Sequence, residues 1–152
     1  MKNIVLTLII GSSMLLSFAQ KTNPDYNDSL AKQLGADDYG MKSYVLVLLK
    51  TGSNKSGDEE AKNKAFKGHM DNMAAMVKKE QLVVAGPIET NKNQYRGLFI
   101  LNAKTLDEAR TILNTDPAIK ANYLEPELYM WYGSAALPTY LPVSDKIWKL
   151  GF

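Results

Sequence analysis

Residues 44–49 read Tyr44-Val45-Leu46-Val47-Leu48-Leu49, apolar or aromatic at every position. A strand with one face in water alternates apolar with polar residues, so an unbroken run of this length predicts a strand covered on both faces. Gly97-Leu98-Phe99-Ile100-Leu101 has the same character. Between the two runs lie a helical stretch from about Asp58 to Lys79 and the strand-like Leu82-Val83-Val84-Ala85-Gly86-Pro87. After the second run come a helix from Leu106 to about Asn114 and a strand near Tyr123 to Tyr132. The order strand, helix, strand, twice over, predicts an α+β ferredoxin-like βαββαβ sandwich: an antiparallel sheet with two helices on one face. Two helices leave the other face bare. In the last strand Leu128 and Met130 alternate with Glu127, Tyr129 and Trp131, which makes that face aromatic with one acid. Its cover is then a second copy of the chain, in a homodimer, or the C-terminal tail. Pro126 predicts an edge or a bulge in this strand.

Helix boundaries are signalled by polar residues. Thr51 to Gly57 is a loop, and Ser56-Gly57-Asp58-Glu59 fits a capping box that starts the first long helix. Asp58, Glu59 and Glu60 in its first turn and Lys78 and Lys79 in its last suit the helix dipole. Phe66, Met70, Met73 and Val77 recur at helical spacing and form the expected core stripe. His69, the only histidine, falls roughly 60° from the centre of that stripe, at its edge. There it would have one ring nitrogen held by the protein and the other facing a cleft. Thr105-Leu106-Asp107-Glu108 is a second capping box, and Leu106, Ala109, Ile112 and Leu113 give its helix an apolar side. Asp116 follows this helix, and Pro117 biases it toward an extended conformation.

Residues 1–19 have the pattern of a secretory signal peptide: Lys2, the apolar runs Ile4 to Ile10 and Met14 to Phe18, and the ending Ser17-Phe18-Ala19. Gly11-Ser12-Ser13 interrupts the apolar run, which is short for a membrane anchor. Cleavage is expected before Gln20, giving an exported chain, periplasmic or secreted, with no membrane segment of its own. The chain has no cysteine to carry a lipid or form a disulfide, so stability must come from apolar burial or oligomerisation. Residues 20–42 read as a polar, flexible leader, with a short helix around Ser29 to Leu34; residues 43–132 form one domain. Residues 133–152, with Leu137-Pro138-Thr139-Tyr140-Leu141-Pro142 and a last segment Ile147-Trp148-Lys149-Leu150-Gly151-Phe152, form an apolar extension. It serves packing or a dimer clasp, or else a lid over a pocket.

Several chemistries are excluded. Eighteen basic against sixteen acidic residues, with Arg96 and Arg110 as the only arginines, form no basic stripe for nucleic acid. One histidine and no cysteine argue against a zinc site, and no other metal or cofactor is implied. Gly-x-Ser-x-Gly is absent, and Gly52-Ser53-Asn54-Lys55-Ser56-Gly57 lacks the ending of a phosphate loop. His69 and Asp116 remain. A carboxylate that accepts the Nδ1 hydrogen leaves the other nitrogen as an oriented base. The alternative is an edge histidine and a turn aspartate that never meet.

The helix of His69, the run Gln81-Leu82-Val83-Val84-Ala85-Gly86-Pro87, the Thr105 to Ala109 helix start and Thr115-Asp116-Pro117 with Asn122-Tyr123 together resemble the YciI-like, or YCII-related, family over about residues 43–132. Membership implies the dimeric α/β-barrel superfamily, with a histidine and an aspartate as the proposed active-site pair; these correspond to His69 and Asp116. Relatives in that superfamily include muconolactone isomerase, dehydrohalogenating enzymes and small monooxygenases. The chain departs from the family pattern at Gln81, where a glycine is common, and in its two terminal extensions. The resemblance implies a small-molecule enzyme, isomerase or lyase-like, whose pocket floor is shaped by Gly86 and Pro87. The competing expectation is a non-catalytic module that binds a small ligand or serves dimeric assembly.

Overall fold

A computed structural model describes residues 23–149; the signal-like segment 1–19 and the last three residues lie outside the described residues. Four strands, β1 (Met41–Thr51), β2 (Leu82–Pro87), β3 (Tyr95–Leu101) and β4 (Leu124–Ser134), pair antiparallel in the order β2-β3-β1-β4. Five helices, α1 (Asp28–Leu34), α2 (Glu59–Lys78), α3 (Leu106–Leu113), α4 (Pro117–Lys120) and α5 (Leu141–Ser144), and a 3-10 turn (Leu137–Tyr140) complete it. This is the ferredoxin-like arrangement. Its core lies between one sheet face, carrying Val45, Val47, Leu49, Phe99 and Leu101, and the inner sides of α2 and α3, which supply Ala65, Met76, Ala109, Ile112 and Leu113.

The other face of the sheet carries Leu46, Leu48, Leu98, Ile100 and Val84, all half-buried although no helix among the described residues covers them. On β4 the same face adds Glu127, Tyr129 and Trp131. Glu127 accepts hydrogen bonds from the hydroxyls of Tyr95 and Tyr129 and pairs with Lys50 at 3.0 Å. Lys50 accordingly holds the Glu127 carboxyl below the usual range. Pro126 sits on an edge strand, as expected, where its missing N–H faces no neighbour.

Local boundaries differ from expectation in informative ways. Asp58, rather than Ser56, caps α2: its carboxylate accepts from the backbone N–H of Ala61 at 2.9 Å. The shorter arm of Ser56 instead meets the Tyr123 hydroxyl at 3.3 Å. Thr105 caps α3 as read, accepting from Glu108, but Glu108 returns one residue further back, to the N–H of Lys104. The buried line of α2 is also rotated from the expected stripe. Ala65, His69 and Met76 are inside and Phe66 and Met73 partly so, while Met70 and Val77 are about one-third exposed (36% and 37%).

The reason for the rotation is α4, a turn of helix the sequence reading does not contain. Pro117 packs on Gly68, where an added Cβ would stand 2.8 Å from the proline ring. This contact draws the 65–68–69 side of α2 inward. His69 is consequently 9% exposed, an inside residue rather than an edge one.

Toward the termini, α1 stands where a short helix is expected, and β1 begins at Met41, upstream of residue 43. Asp37 receives the backbone N–H groups of Tyr39 and Met41 and the hydroxyl of Tyr132, which ties the segment before β1 to β4. The C-terminal extension packs beside β2, where the Tyr140 hydroxyl donates to the carbonyl of Val83 at 2.6 Å. No helix among the described residues is long and apolar enough to cross a membrane.

Candidate active site

His69 and Asp116 are 47 positions apart in sequence and in direct contact. His69 Nδ1 lies 2.6 Å from Asp116 Oδ2. Asp116 is fully buried, and its other oxygen, Oδ1, accepts from the N–H groups of Ala118 at 2.9 Å and Ile119 at 3.3 Å. One carboxylate thus caps α4 and receives the imidazole. Both tasks follow from Asp116-Pro117: proline occupies the first helical position, and Asp116 just before it is extended (φ −80°, ψ 121°), which is cap geometry. The turn role and the pairing role expected as alternatives therefore coexist in one side chain.

A carboxylate in its ionised form only accepts, so it is matched by an Nδ1 that carries a hydrogen. Nε2 makes no hydrogen bond to a described residue. Aromatic neighbours fix the ring: it stacks on Phe99 at 5.8 Å and 21° and meets Phe66 edge-on at 6.2 Å and 74°. With Nδ1 turned to Asp116, Nε2 is the nitrogen left for the cavity beside it. That cavity has a volume of about 410 Å³ and is lined by His69, Phe66, Met70, Met73, Phe99 and the Ala85-Gly86-Pro87 end of β2, among others. Gly86 and Pro87 stand on its wall. Met70, misread as core, has its exposed side chain here instead.

One lining residue escapes the sequence reading altogether. Strict alternation along β3 would send Arg96 to the face opposite Phe99. The pairing of β1 with β3 slips between Leu49 and Lys50, however: Leu49 faces Gly97 while Lys50 faces Tyr95, and Arg96 is the extra residue. A bulge of this kind re-aims a side chain. Arg96 lines the His69 cavity, and no carboxylate among the described residues pairs with it. Only the rarity of arginine in the chain hints at it beforehand.

The described part of the C-terminal extension does not line this cavity. Pro138, Leu141, Pro142 and Asp145 line a separate recess with Leu34, Val77 and Val83, so within one chain the described tail is no lid over His69. Among the described residues no group of three or more His, Cys, Asp or Glu is placed to hold a metal.

No curated protein matches the chain. Among solved structures it is similar to the 5-chloro-2-hydroxyhydroquinone dehydrochlorinase of Burkholderia phenoliruptrix AC1100 in complex with 2,5-dihydroxybenzoquinone. The identity is 18%, the TM-score 0.41, and the match covers 57% of this chain and 92% of the other. The model of the YCII-related domain matches residues 44–131, from the first strand through the last and including both members of the buried pair. The chain belongs to the YCII-related domain family.

Proposed function

We propose that the protein is a small-molecule enzyme in which His69 moves a proton and Asp116 holds the imidazole in the tautomer that can do so. The carrying observation is the 2.6 Å contact from His69 Nδ1 to Asp116 Oδ2, with the opposite ring nitrogen left to an apolar cavity. In the forward step Nε2 takes a proton from a carbon made acidic by a neighbouring carbonyl, and the electron pair of the broken C–H bond moves into that carbonyl system. Returning the proton to a different carbon completes an isomerisation. Loss of a leaving group with its bonding pair completes an elimination, after which the imidazolium gives its proton to water. Gly86 and Pro87 shape the floor beneath the reacting carbon.

Asp116→Asn tests this reading. Asparagine caps a helix about as well as aspartate, so α4 survives. Its amide then offers N–H to Nδ1 once its oxygen is committed to the cap, and the hydrogen of the neutral ring moves to Nε2. The measurement is deuterium uptake from D₂O into a panel of lactones and β-keto acids. Uptake catalysed by the parent should fall about 10²–10⁴-fold in both His69→Gln and Asp116→Asn. Equal uptake in parent and variants overturns the assignment.

The same proposal includes an exported homodimer, periplasmic or secreted, closed on the uncovered sheet face. The export part rests on the signal-like pattern of residues 1–19; the dimer part rests on Leu46, Leu48, Leu98 and Ile100 beside Tyr129 and Trp131. N-terminal sequencing of the mature protein should begin at Gln20, and a chain that keeps Met1 contradicts export by cleavage.

A further inference from the structure

The bulge in β3 puts Arg96 at the junction of two cavities. One is the apolar cavity of His69; the other, of about 350 Å³, is lined by Thr51, Asn54, Lys55, Ser56, Lys62, Phe66, Arg96, Tyr123 and Leu124. Phe66, Arg96 and Leu124 belong to both walls. The second recess has three cationic side chains, several neutral polar groups and no carboxylate in its wall. Lys62 has only a weak pairing with exposed Glu59 at 3.3 Å, and Lys55 donates to the carbonyl of Gly52 at 3.1 Å. The guanidinium of Arg96 has no hydrogen bond or ion pair with a described residue. The chain's other arginine, by contrast, is paired with Asp107 at 2.8 Å.

Resting on the proton-transfer reading above, we infer that the substrate is a small organic acid. Its carboxylate sits against Arg96 in the basic recess, with Lys62 and Lys55 contributing field, and its unsaturated or aromatic body lies in the His69 cavity. The division of labour follows from the linings. Phe66, Phe99, Met70, Met73 and Leu124 accommodate a flat apolar body, and an arginine fork matches a carboxylate with two parallel hydrogen bonds. Arg96 is then a residue of binding and orientation: it fixes which carbon of the acid faces Nε2. The bulge explains why it is there at all, since the regular strand would place it on the opposite face of the sheet.

The test uses the sparse composition. With two arginines and one histidine, the side-chain Nε–H signals of Arg96 and Arg110 and the ring signals of His69 can each be followed singly by NMR. Benzoate, cyclohexanecarboxylate and hexanoate are titrated against their neutral amides. The acids should shift Arg96 and His69 together and leave Arg110 still. They should bind at least about tenfold more tightly than the amides, a difference of about 1.4 kcal/mol, and the preference should shrink as salt is raised. Arg96→Gln should abolish the preference for acid over amide, Lys62→Gln should reduce it, and Arg110→Gln should leave it unchanged. Equal binding of acid and amide, an unaltered preference in Arg96→Gln, or no response to any of the three acids overturns the inference. His69→Gln should retain the carboxylate preference. A failure of the proton-transfer reading is thus seen as equal deuterium uptake in parent, His69→Gln and Asp116→Asn with the Arg96-dependent preference for acid intact, and a failure of the present inference as uptake that falls in both variants with no such preference.

Discussion

At the residue scale the site turns on the double use of Asp116. Its two oxygens are committed in different directions, Oδ1 to the N-terminus of α4 and Oδ2 to His69. Removing the side chain therefore removes a cap, worth about 1 kcal/mol, and orphans a buried ring donor, worth about 1–3 kcal/mol. Asp116→Ala should lower the unfolding free energy by about 2–4 kcal/mol in urea, with Asp116→Asn costing distinctly less; a shift under 1 kcal/mol in Asp116→Ala means the contacts carry no such weight. His69 was legible as a candidate because it is the only imidazole, and Asp116 because proline follows it. Their pairing was legible from the family resemblance and not from spacing, because 47 residues separate them and the helix that aligns them, α4, is a single turn with no periodicity to read.

At the element scale, loops and bulges decide the details that periodicity leaves open. Gly52 leaves β1 against the backbone of Asn122, and its N–H donates to the carbonyl of Tyr123 at 2.9 Å. A Cβ there would stand 2.0 Å from the Asn122 carbonyl oxygen, which belongs to backbone and has nowhere to yield. Gly52→Ala should destabilise by at least about 3 kcal/mol, measured by thermal or urea unfolding; parent-like stability would show that this crossing is loose.

The tie between the segment before β1 and β4 gives a pH-dependent test. The Tyr132 hydroxyl holds the Asp37 carboxyl below the usual carboxylate range, and the tyrosine is itself pushed up to about 12. A depressed carboxyl contributes stability at pH values above its unfolded-state pKa and loses it as pH falls through the folded value. The raised phenol contributes below its ordinary value and is lost as pH climbs toward 12. Tyr132→Phe should return Asp37 upward toward the ordinary range, read from its carboxyl carbon signal during an NMR titration. An unmoved Asp37 would assign its shift to the backbone donors instead. The long strands and helices were visible from unbroken apolar runs and caps, but the exact burial of α2 was not: its rotation comes from Pro117 against Gly68, a contact between distant segments.

At the scale of the whole molecule, the sheet has a helix-covered face that builds the cavity and an uncovered face with a continuous leucine and isoleucine centre. The successive apolar residues of β1 and β3 made the fold readable, and their second apolar face is the ground for expecting a further cover. The identity of that cover is the proposal of a homodimer. Leu48→Glu places a charge at the centre of the uncovered face and should convert a dimer to a monomer in sedimentation equilibrium, while the helix-side core remains folded by circular dichroism. A parent already monomeric at tens of micromolar, or a variant still dimeric, removes this face as the interface.

In the proposed mechanism Asp116 sets the tautomer of His69 so that Nε2 is a free base. Long-range ¹H–¹⁵N correlation of the single histidine, recorded over a pH series, reads this directly. The proposed roles require a protonated Nδ1 and a bare Nε2 in the parent, exchanged in Asp116→Asn. A protonated Nε2 in the parent, or the same pattern in both proteins, would contradict it.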